Sequence, residues 1–150
     1  RVPTLVLDDE DVLLDSHLPG ETHGALGPER LAWLDARLQA AHDRPVLLAL
    51  HHPPLPVGSA WIDSLALEDG AALLSLLERH RCARAVVCGH VHQASDQSRG
   101  TLRVLTTPST CVQFAPHSDD FALDTRPPGW RWLHLHPDGS LATTVDWLRT

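Results

Sequence analysis

The chain has 150 residues, of which 43% are hydrophobic and 21% charged, and it carries a formal net charge of −7. This composition is typical of one folded, soluble domain, because it lacks both the polar excess of disordered chains and an apolar run of the roughly 20 residues that a membrane helix needs. The negative charge and the absence of Lys and Arg clusters argue against nucleic-acid binding.

The first two thirds of the sequence predict strands that alternate with helices. Residues 11–15 are expected to form a strand, and a helix should begin near Gly27, where Pro and Glu follow as residues of the first turn. Residues 46–50 are continuously apolar, as in a strand buried on both faces. A helix over about 68–80 then leads to a second such strand at 85–88. This order predicts α/β units.

The last third of the sequence alternates apolar and polar residues. A strand is expected at 102–105, and residues 130–135 and 141–148 flank a Pro-Asp-Gly turn, as in a β-hairpin. Loops are expected over 57–63 and 116–128. The predicted fold class is therefore α/β, with a mixed sheet and an antiparallel hairpin.

Two of the predicted buried strands run directly into histidines. The first is followed by His51-His52-Pro-Pro and the second by Gly89-His90-Val-His92. Ligand sites of open α/β sheets collect beyond the carboxyl ends of the strands, so the two segments are expected to meet at one edge. Residues two apart on an extended chain point the same way, so His90 and His92 should face one locus, with Gly89 allowing a bend before them.

These histidines predict a metal site. Neutral imidazoles are good ligands for zinc, iron and manganese, and His51, His90 and His92 are the candidate ligands. A lone histidine at a strand end is more often a surface residue, but two such strand ends together favour the metal. His52 points away from its neighbour on an extended chain and is expected to support the site or to pack locally. No G-x-S-x-G segment presents a serine nucleophile, so no catalytic side chain is assigned.

The cysteines indicate the redox state of the protein, and the absence of methionine indicates how the chain begins. Cys82, Cys88 and Cys111 form neither an even set nor a CxxC pair, so reduced thiols in a cytoplasmic protein are the simplest interpretation. The sequence contains no Met, including at position 1. We therefore expect a piece of a protein that begins elsewhere.

The spacing of the two histidine motifs resembles a known family. HHPP at a strand end, followed about forty residues later by GHxH, is similar to the last two motifs of the calcineurin-like metallophosphoesterases. Residues 107–114 and 128–132 further resemble the bacterial class III cyclic-nucleotide phosphodiesterases of that superfamily. The likeness runs from about residue 12 to residue 148.

The resemblance implies a fold and a cofactor. The fold is the four-layer α/β/β/α sandwich of the family, of which residues 1–150 would be the C-terminal part of a single domain. The cofactor is a pair of metal ions, iron, manganese or zinc, with His51 and His90 on one ion and His92 on the other. Thr107, Ser109 and the loop over 57–63 are candidates for the substrate side of the site, with a purely loop-forming role as the alternative.

The family completes its metal centre with DxH, GD and GNH[DE] motifs, which provide a bridging carboxylate, an asparagine ligand and a histidine near the leaving group. We interpret all three motifs as absent from this chain. Two metal ions need a carboxylate to balance their charge, so the chain alone should not form the whole site. A complementing N-terminal half in another segment or chain is expected.

The implied function is metal-dependent hydrolysis of a phosphodiester, with 3′,5′-cyclic AMP as the first substrate to test. Other substrates of the superfamily are alternatives: a glycerophosphodiester, a nucleotide pyrophosphate or a phosphomonoester. A third interpretation is a non-catalytic metal-binding or assembly module. Half of a domain should expose an unpaired strand edge, so self-association or binding of a complementing half is expected, without a membrane partner.

Overall fold

The computed structural model describes residues 11–149, and within them it contains three helices and nine strands. The helices are α1 (Gly27–Ala41), α2 (Ala60–Asp63) and α3 (Gly70–Leu77). The strands are β1 (Asp11–Leu14), β2 (Val46–Leu50), β3 (Ala83–Cys88), β4 (Ser95–Arg99), β5 (Leu102–Thr106), β6 (Gln113–Phe114), β7 (Leu123–Asp124), β8 (Gly129–Leu135) and β9 (Leu141–Trp147). The predicted passage from α/β units to antiparallel β-structure is confirmed.

Five strands form one mixed sheet in the order β1-β2-β3-β5-β4. Strands β1, β2, β3 and β5 run parallel, and β4 pairs antiparallel with β5. Residues of β2 alternate between buried and half-buried. The prediction that this strand is sealed on both faces is therefore only half right, because one face is covered completely and the other in part.

The core lies between the mixed sheet and helices α1 and α3. Leu34 and Leu38 of α1, Leu73 and Leu77 of α3, and Leu48 of β2 belong to one buried cluster. Full burial of a leucine side chain stabilises a fold by about 1.5–3 kcal/mol, so this cluster fixes both helices against the sheet. The rigid sheet in turn fixes where its strands end.

Helix α1 begins at Gly27, as predicted, but a distant residue caps it. The Asp69 carboxylate accepts hydrogen bonds from the backbone N–H groups of Leu26 (3.1 Å) and Gly27 (2.7 Å). A carboxylate is favourable at the positive end of the helix dipole. Asp69 itself is not helical, so α3 runs only from Gly70 to Leu77 and is shorter than the predicted helix over 68–80.

Several short elements depart from the predictions. The expected loop over 57–63 ends in helix α2, and part of the expected loop over 116–128 forms β7, which pairs with β6. The polar edge strand β4 also had no counterpart in the predictions. A two-residue strand or a single helical turn is too short to show a hydrophobic period, and an edge strand need not show one.

The hairpin β8–β9 forms its own two-stranded sheet, as predicted. Two arginines join it to the mixed sheet. Arg131 donates to the carbonyl oxygens of Thr106 (3.1 Å) and Ser95 (3.0 Å), and Arg103 donates to that of Leu141 (2.7 Å). The combination of a mixed sheet and a separate antiparallel hairpin is thus confirmed.

Strand edges are open within the described range 11–149. Strand β1 lies at one edge of the mixed sheet and β4 at the other, and each hairpin strand has one unpaired side. Such edges can pair with another chain, so the expected self-association stays a prediction. Among the helices of this range, none has the length and apolar character needed to cross a membrane.

Candidate metal centre

The histidines of both motifs line one cleft at the carboxyl edge of the parallel strands. The cleft has a volume of about 530 Å³, and its walls include His51, His52, His90 and His92. The predicted meeting of the two motifs at one sheet edge is confirmed. Metal binding by these residues stays a prediction.

Three of these histidines form a compact cluster. One ring nitrogen from each of His51, His52 and His90 lies within 4.8 Å of the others. The Nε2 atom of His51 is 3.2 Å from Nδ1 of His90. The His51 ring stands nearly perpendicular to the other two, at 88° and 76°. Nitrogens at this spacing are close enough to share one cation.

Burial favours the neutral form of these rings. Desolvation, followed by the neighbouring histidines, lowers the pKa of His90 to about 4. The pKa values of His51 and His52 are also lowered, mainly by burial. A neutral imidazole presents a lone pair to a metal ion. No Asp or Glu of the described residues belongs to the three-histidine cluster, so its donor set consists of nitrogen alone.

One buried nitrogen of the cluster has no well-formed hydrogen bond. Nε2 of His90 is buried and lacks a partner of normal geometry within residues 11–149, although the backbone of Leu65 lies near enough to raise the pKa slightly. A buried polar group left in this state costs about 1–3 kcal/mol. A bound metal ion would satisfy a lone pair of this ring, so the donor set fits a cation.

The backbone of the second motif is strained rather than extended. His90 and His92 have φ angles of 64° and 48°, and the N–H of Val91 donates to the carbonyl oxygen of Gly89 at 2.7 Å, closing a three-residue turn around His90. A left-handed φ at a residue other than glycine is uncommon, costs on the order of 1–3 kcal/mol and collects at functional sites. The expectation of an extended segment is therefore wrong. The bend lies at the histidines, while Val91 is buried as predicted.

His92 lies outside the three-histidine cluster but faces the same cleft. Its Nδ1 is 2.9 Å from the carbonyl oxygen of Val112, so Nδ1 carries the proton and Nε2 presents the lone pair. Its ring also stacks on Phe114, with centroids 4.3 Å apart. His90 and His92 thus both line the cleft, as expected, but only His90 belongs to the three-histidine cluster, and their assignment to different metal ions stays a prediction.

His52 uses both ring nitrogens to hold a neighbouring segment. Nδ1 is 2.8 Å from the Ser16 hydroxyl, and Nε2 is 3.3 Å from the carbonyl oxygen of Thr22. A Cβ atom at Gly24 would lie 2.2 Å from Nδ1, so glycine is needed for this close approach. His52 therefore supports the loop after β1, in agreement with its predicted supporting role, and is a poorer candidate ligand than His51.

Two carboxylates, Asp15 and Glu21, also line the cleft. Asp15-Ser16-His17 has the spelling D-x-H, so the interpretation that all three family motifs are absent is wrong for this one, whereas GD and GNH[DE] do not occur. Asp15 follows β1, which is parallel to β2, and it therefore lies at the same sheet edge as His51. The cleft contains negative charge, although outside the three-histidine cluster.

Of the predicted substrate-side residues, Thr107 and Ser109 are not among those that line the cleft, whereas the segment 57–63 contributes Trp61 and Ile62. The N–H of Thr107 donates to the carbonyl oxygen of Cys88 at 2.9 Å and extends the sheet pairing. The carbonyl oxygen of Ser109 accepts hydrogen bonds from the Gln113 amide (2.7 Å) and the Gly129 N–H (2.9 Å). Both residues thus hold loops in place. Gly89 approaches His51 closely, since a Cβ atom there would lie 3.4 Å from the Nδ1 atom.

Three aromatic side chains form another part of the cleft, and only Trp61 lies in a segment, 57–63, that the sequence predicted for the substrate side. Trp61, Phe114 and Phe121 line it and contact one another edge to face, with ring centroids 5.0–5.7 Å apart. They come from α2, from β6 and from the loop between β6 and β7. No period relates these positions, and so only the folded chain brings them together.

Comparison with known proteins gives relatives of one kind, although no family model matches the chain. The chain is 49% identical over 135 residues to the 3′,5′-cyclic adenosine monophosphate phosphodiesterase CpdA of Vibrio vulnificus, covering 90% of this chain and 49% of that protein. It is 46% identical over 134 residues to CpdA of Escherichia coli K12, covering 89% and 49%. It is 38% identical over 135 residues to a 3′,5′-cyclic-nucleotide phosphodiesterase of Nostoc, covering 90% and 51%. The chain therefore spans about half the length of the curated relatives it matches.

Solved structures share the fold. A dimetal phosphatase from Danio rerio superimposes with a TM-score of 0.54 at 23% identity, covering 73% of this chain and 35% of that one. GAP50, the anchor in the inner membrane complex of Plasmodium, superimposes with a TM-score of 0.61 at 13% identity, covering 98% and 49%. At these identities the likeness concerns the fold alone.

Proposed function

We propose that the chain belongs to the calcineurin-like metallophosphoesterases and forms part of a metal-dependent phosphodiester hydrolase, because its relatives at 38–49% identity are named as cyclic-nucleotide phosphodiesterases. The proposed substrate is a cyclic nucleotide, with 3′,5′-cyclic AMP first. The observation that carries the proposal is the clustering of His51 and His90, in which a buried imidazole nitrogen has no well-formed hydrogen bond within residues 11–149.

The proposed ligands divide between two metal ions. His51 and His90 would hold one ion, and His92, whose tautomer is fixed by the Val112 carbonyl, would hold the other. Iron, manganese and zinc all accept imidazole nitrogen. When bound in such a site, metal ions polarise a phosphoryl oxygen and lower the pKa of coordinated water. The chain itself orients the donor nitrogens, and burial lowers the pKa of His51 and His90 and so favours their neutral form.

The charge of the site suggests that another segment completes it. Two metal ions gather more positive charge than neutral imidazoles can balance, and the three-histidine cluster contains no carboxylate. Asp15 and Glu21 lie in the cleft but outside that cluster. We therefore assign residues 1–150 to the C-terminal part of one domain, completed by an N-terminal half or a second copy. The cytoplasmic location also stays a prediction.

The all-nitrogen cluster supports a second candidate function. A module that binds one metal ion without hydrolysing an ester would need only the imidazoles, as structural zinc sites do. A third candidate keeps the hydrolysis but replaces the cyclic nucleotide with a glycerophosphodiester, a nucleotide pyrophosphate or a phosphomonoester. These candidates differ in which compounds, if any, the metal-loaded protein consumes.

The test is substrate profiling of the purified chain with manganese. We expect the chain alone to bind manganese, and hydrolysis of 3′,5′-cyclic AMP and of bis-p-nitrophenyl phosphate once an N-terminal half or a second copy completes the site. Metal binding and hydrolysis should both be lost in His90→Ala. His134→Ala is the matched control, because His134 is exposed on β8 and is not among the residues that line the cleft. Metal binding without turnover of any ester, by the chain alone and also after an N-terminal half has been added, would favour the non-catalytic module. Turnover of p-nitrophenyl phosphate alone would point to a phosphomonoester, and no metal binding would overturn the proposal.

A further inference from the structure

Trp61, Phe114 and Phe121, which we call the aromatic wall, lie in the same cleft as the candidate metal centre. We propose that the aromatic wall is the subsite that stacks the nucleobase of the substrate, and that a purine fits it best because of its larger ring surface. This inference rests on the proposed function, since it supplies the base-binding part of a nucleotide hydrolase.

The aromatic wall adjoins the candidate metal centre directly. Phe114 stacks on His92 with the two rings only 5° from parallel, while its contacts with Trp61 (5.0 Å) and Phe121 (5.7 Å) are edge to face. In a nucleotide, a single ribose joins the base to the phosphate. A subsite for the base must therefore border the residues that handle the phosphate, and the stack of His92 on Phe114 provides this connection.

Hydrogen bonds of the half-buried Asp63 hold the aromatic wall in a fixed shape on the Trp61 side. The Asp63 carboxylate accepts hydrogen bonds from the N–H groups of Val57 (2.8 Å), Gly58 (2.9 Å) and Ser59 (3.0 Å). These bonds fold the loop before α2 back onto the helix that carries Trp61. Side chains fixed in this way lose little conformational freedom when a ligand binds.

The Phe114 and Phe121 side is fixed by two buried glutamines. Gln113 is completely buried, and its amide donates to the carbonyl oxygens of Ser109 (2.7 Å) and Pro127 (3.1 Å). The Gln93 amide donates to the Ser59 hydroxyl at 3.1 Å, which joins this side to the loop before α2. The short pair β6–β7 then presents Phe121 at the cleft.

Exposure distinguishes Phe121 from a core residue. Its side chain is 63% exposed, although it lies in a cleft among groups held by buried hydrogen bonds. A large aromatic surface left open beside a polar site is a common feature of ligand-binding sites. The three side chains of the wall carry no charge, so they suit the flat face of a base rather than a phosphate.

Adenosine is the probe that tests the subsite, because it carries the base and ribose but no phosphate and so does not depend on metal. We expect the full 150-residue chain to bind adenosine saturably, with quenching of tryptophan fluorescence and amide shifts at residues 113–124 in NMR spectra, and not to bind ribose. Base stacking on an aromatic side chain typically changes affinity by about tenfold, so Phe121→Ala should weaken binding by about that factor. Phe121→Tyr should keep it.

Leu123→Ala is the matched control, because Leu123 is 57% exposed on the same β6–β7 pair and is not among the residues that line the cleft. Equal weakening in Leu123→Ala, or no adenosine binding by the wild-type chain, would overturn the subsite. So would concentration-dependent association that Phe121→Ala abolishes, since a second copy would then be the occupant. Adenosine binding without hydrolysis of cyclic AMP, also after an N-terminal half has been added, would preserve the subsite and overturn the proposed hydrolase instead.

Discussion

The cleft has two sides that the chain builds in different ways. On the metal side, His51 and His90 follow the central parallel strands β2 and β3, so the backbone pairing of the sheet brings them together. On the other side, the aromatic wall comes from α2, β6 and a loop, and buried side-chain amides hold it. Ligands at a sheet edge are thus encoded in strand spacing, whereas the wall depends on contacts between distant segments. Substitutions should therefore change the metal side and the aromatic wall separately.

The largest expected effect is on metal affinity. Removal of an outer partner of a metal ligand typically costs about 10–100-fold in affinity, so removal of two ligands in His51→Ala/His90→Ala should cost at least about 100-fold. Isothermal titration with zinc measures this loss. Adenosine binding by the aromatic wall should stay unchanged in the same variant. A parallel loss of both would show that the two sides are not independent, and unchanged zinc affinity would remove these residues from the site.

The second-largest expected effect is on the free energy of unfolding, through the hydrogen bonds that hold the aromatic wall. Gln113→Leu keeps the size of the side chain but removes its hydrogen bonds to Ser109 and Pro127, which leaves two half-buried carbonyl groups without this partner. Such a loss costs about 1–3 kcal/mol in the free energy of unfolding. Urea denaturation measures it. Gln39→Leu on the exposed surface of α1 is the control and should change stability much less, and equal effects would contradict the role assigned to Gln113.

The difference between the metal side and the aromatic wall also explains how much of this site the sequence predicts. Continuous apolar runs that end in histidines predict the strands, the cleft edge and the meeting of the two motifs, because parallel strands place their carboxyl ends together. Spacing cannot predict the left-handed turns at His90 and His92, which are strained conformations that surrounding structure imposes. Nor can it place Thr107 and Ser109, whose backbone groups bind within loops, or find Phe121, which only the β6–β7 pair brings to the cleft.

The third effect is a pH dependence confined to the metal side. Unfolded histidines titrate near pH 6.5, whereas burial holds the pKa of His90 at about 4 in the folded chain. Between these values the unfolded chain binds more protons, so folding stability is complete above about pH 6.5 and falls as the pH drops toward 4. After allowance for solvent screening of a half-buried ring, His90 should contribute about 1–2 kcal/mol of this change.

Thermal denaturation in a chelator, at a series of pH values, measures this dependence without metal. His90→Gln should flatten the curve between pH 6.5 and 4, because the variant has no imidazole to protonate at this position. His134→Gln, on the exposed face of β8, should follow the wild-type curve. A wild-type stability that does not change across this range would contradict the burial of neutral imidazoles in the cluster.

The smallest expected effect lies where the two sides meet, in the stack of His92 on Phe114. Phe114→Leu keeps an apolar side chain but removes an aromatic contact worth about 0.5–1.5 kcal/mol. The hydrogen bond from His92 to the Val112 carbonyl does not involve Phe114, so the tautomer should persist, and the nitrogen chemical shifts of the His92 ring measure it. Metal and adenosine affinity should both fall, each by a few-fold and by less than in the ligand and Phe121→Ala variants. If only the adenosine affinity fell, the Val112 carbonyl would position His92 without any contribution from the aromatic wall. The two sides of the cleft would then be neighbours without energetic coupling.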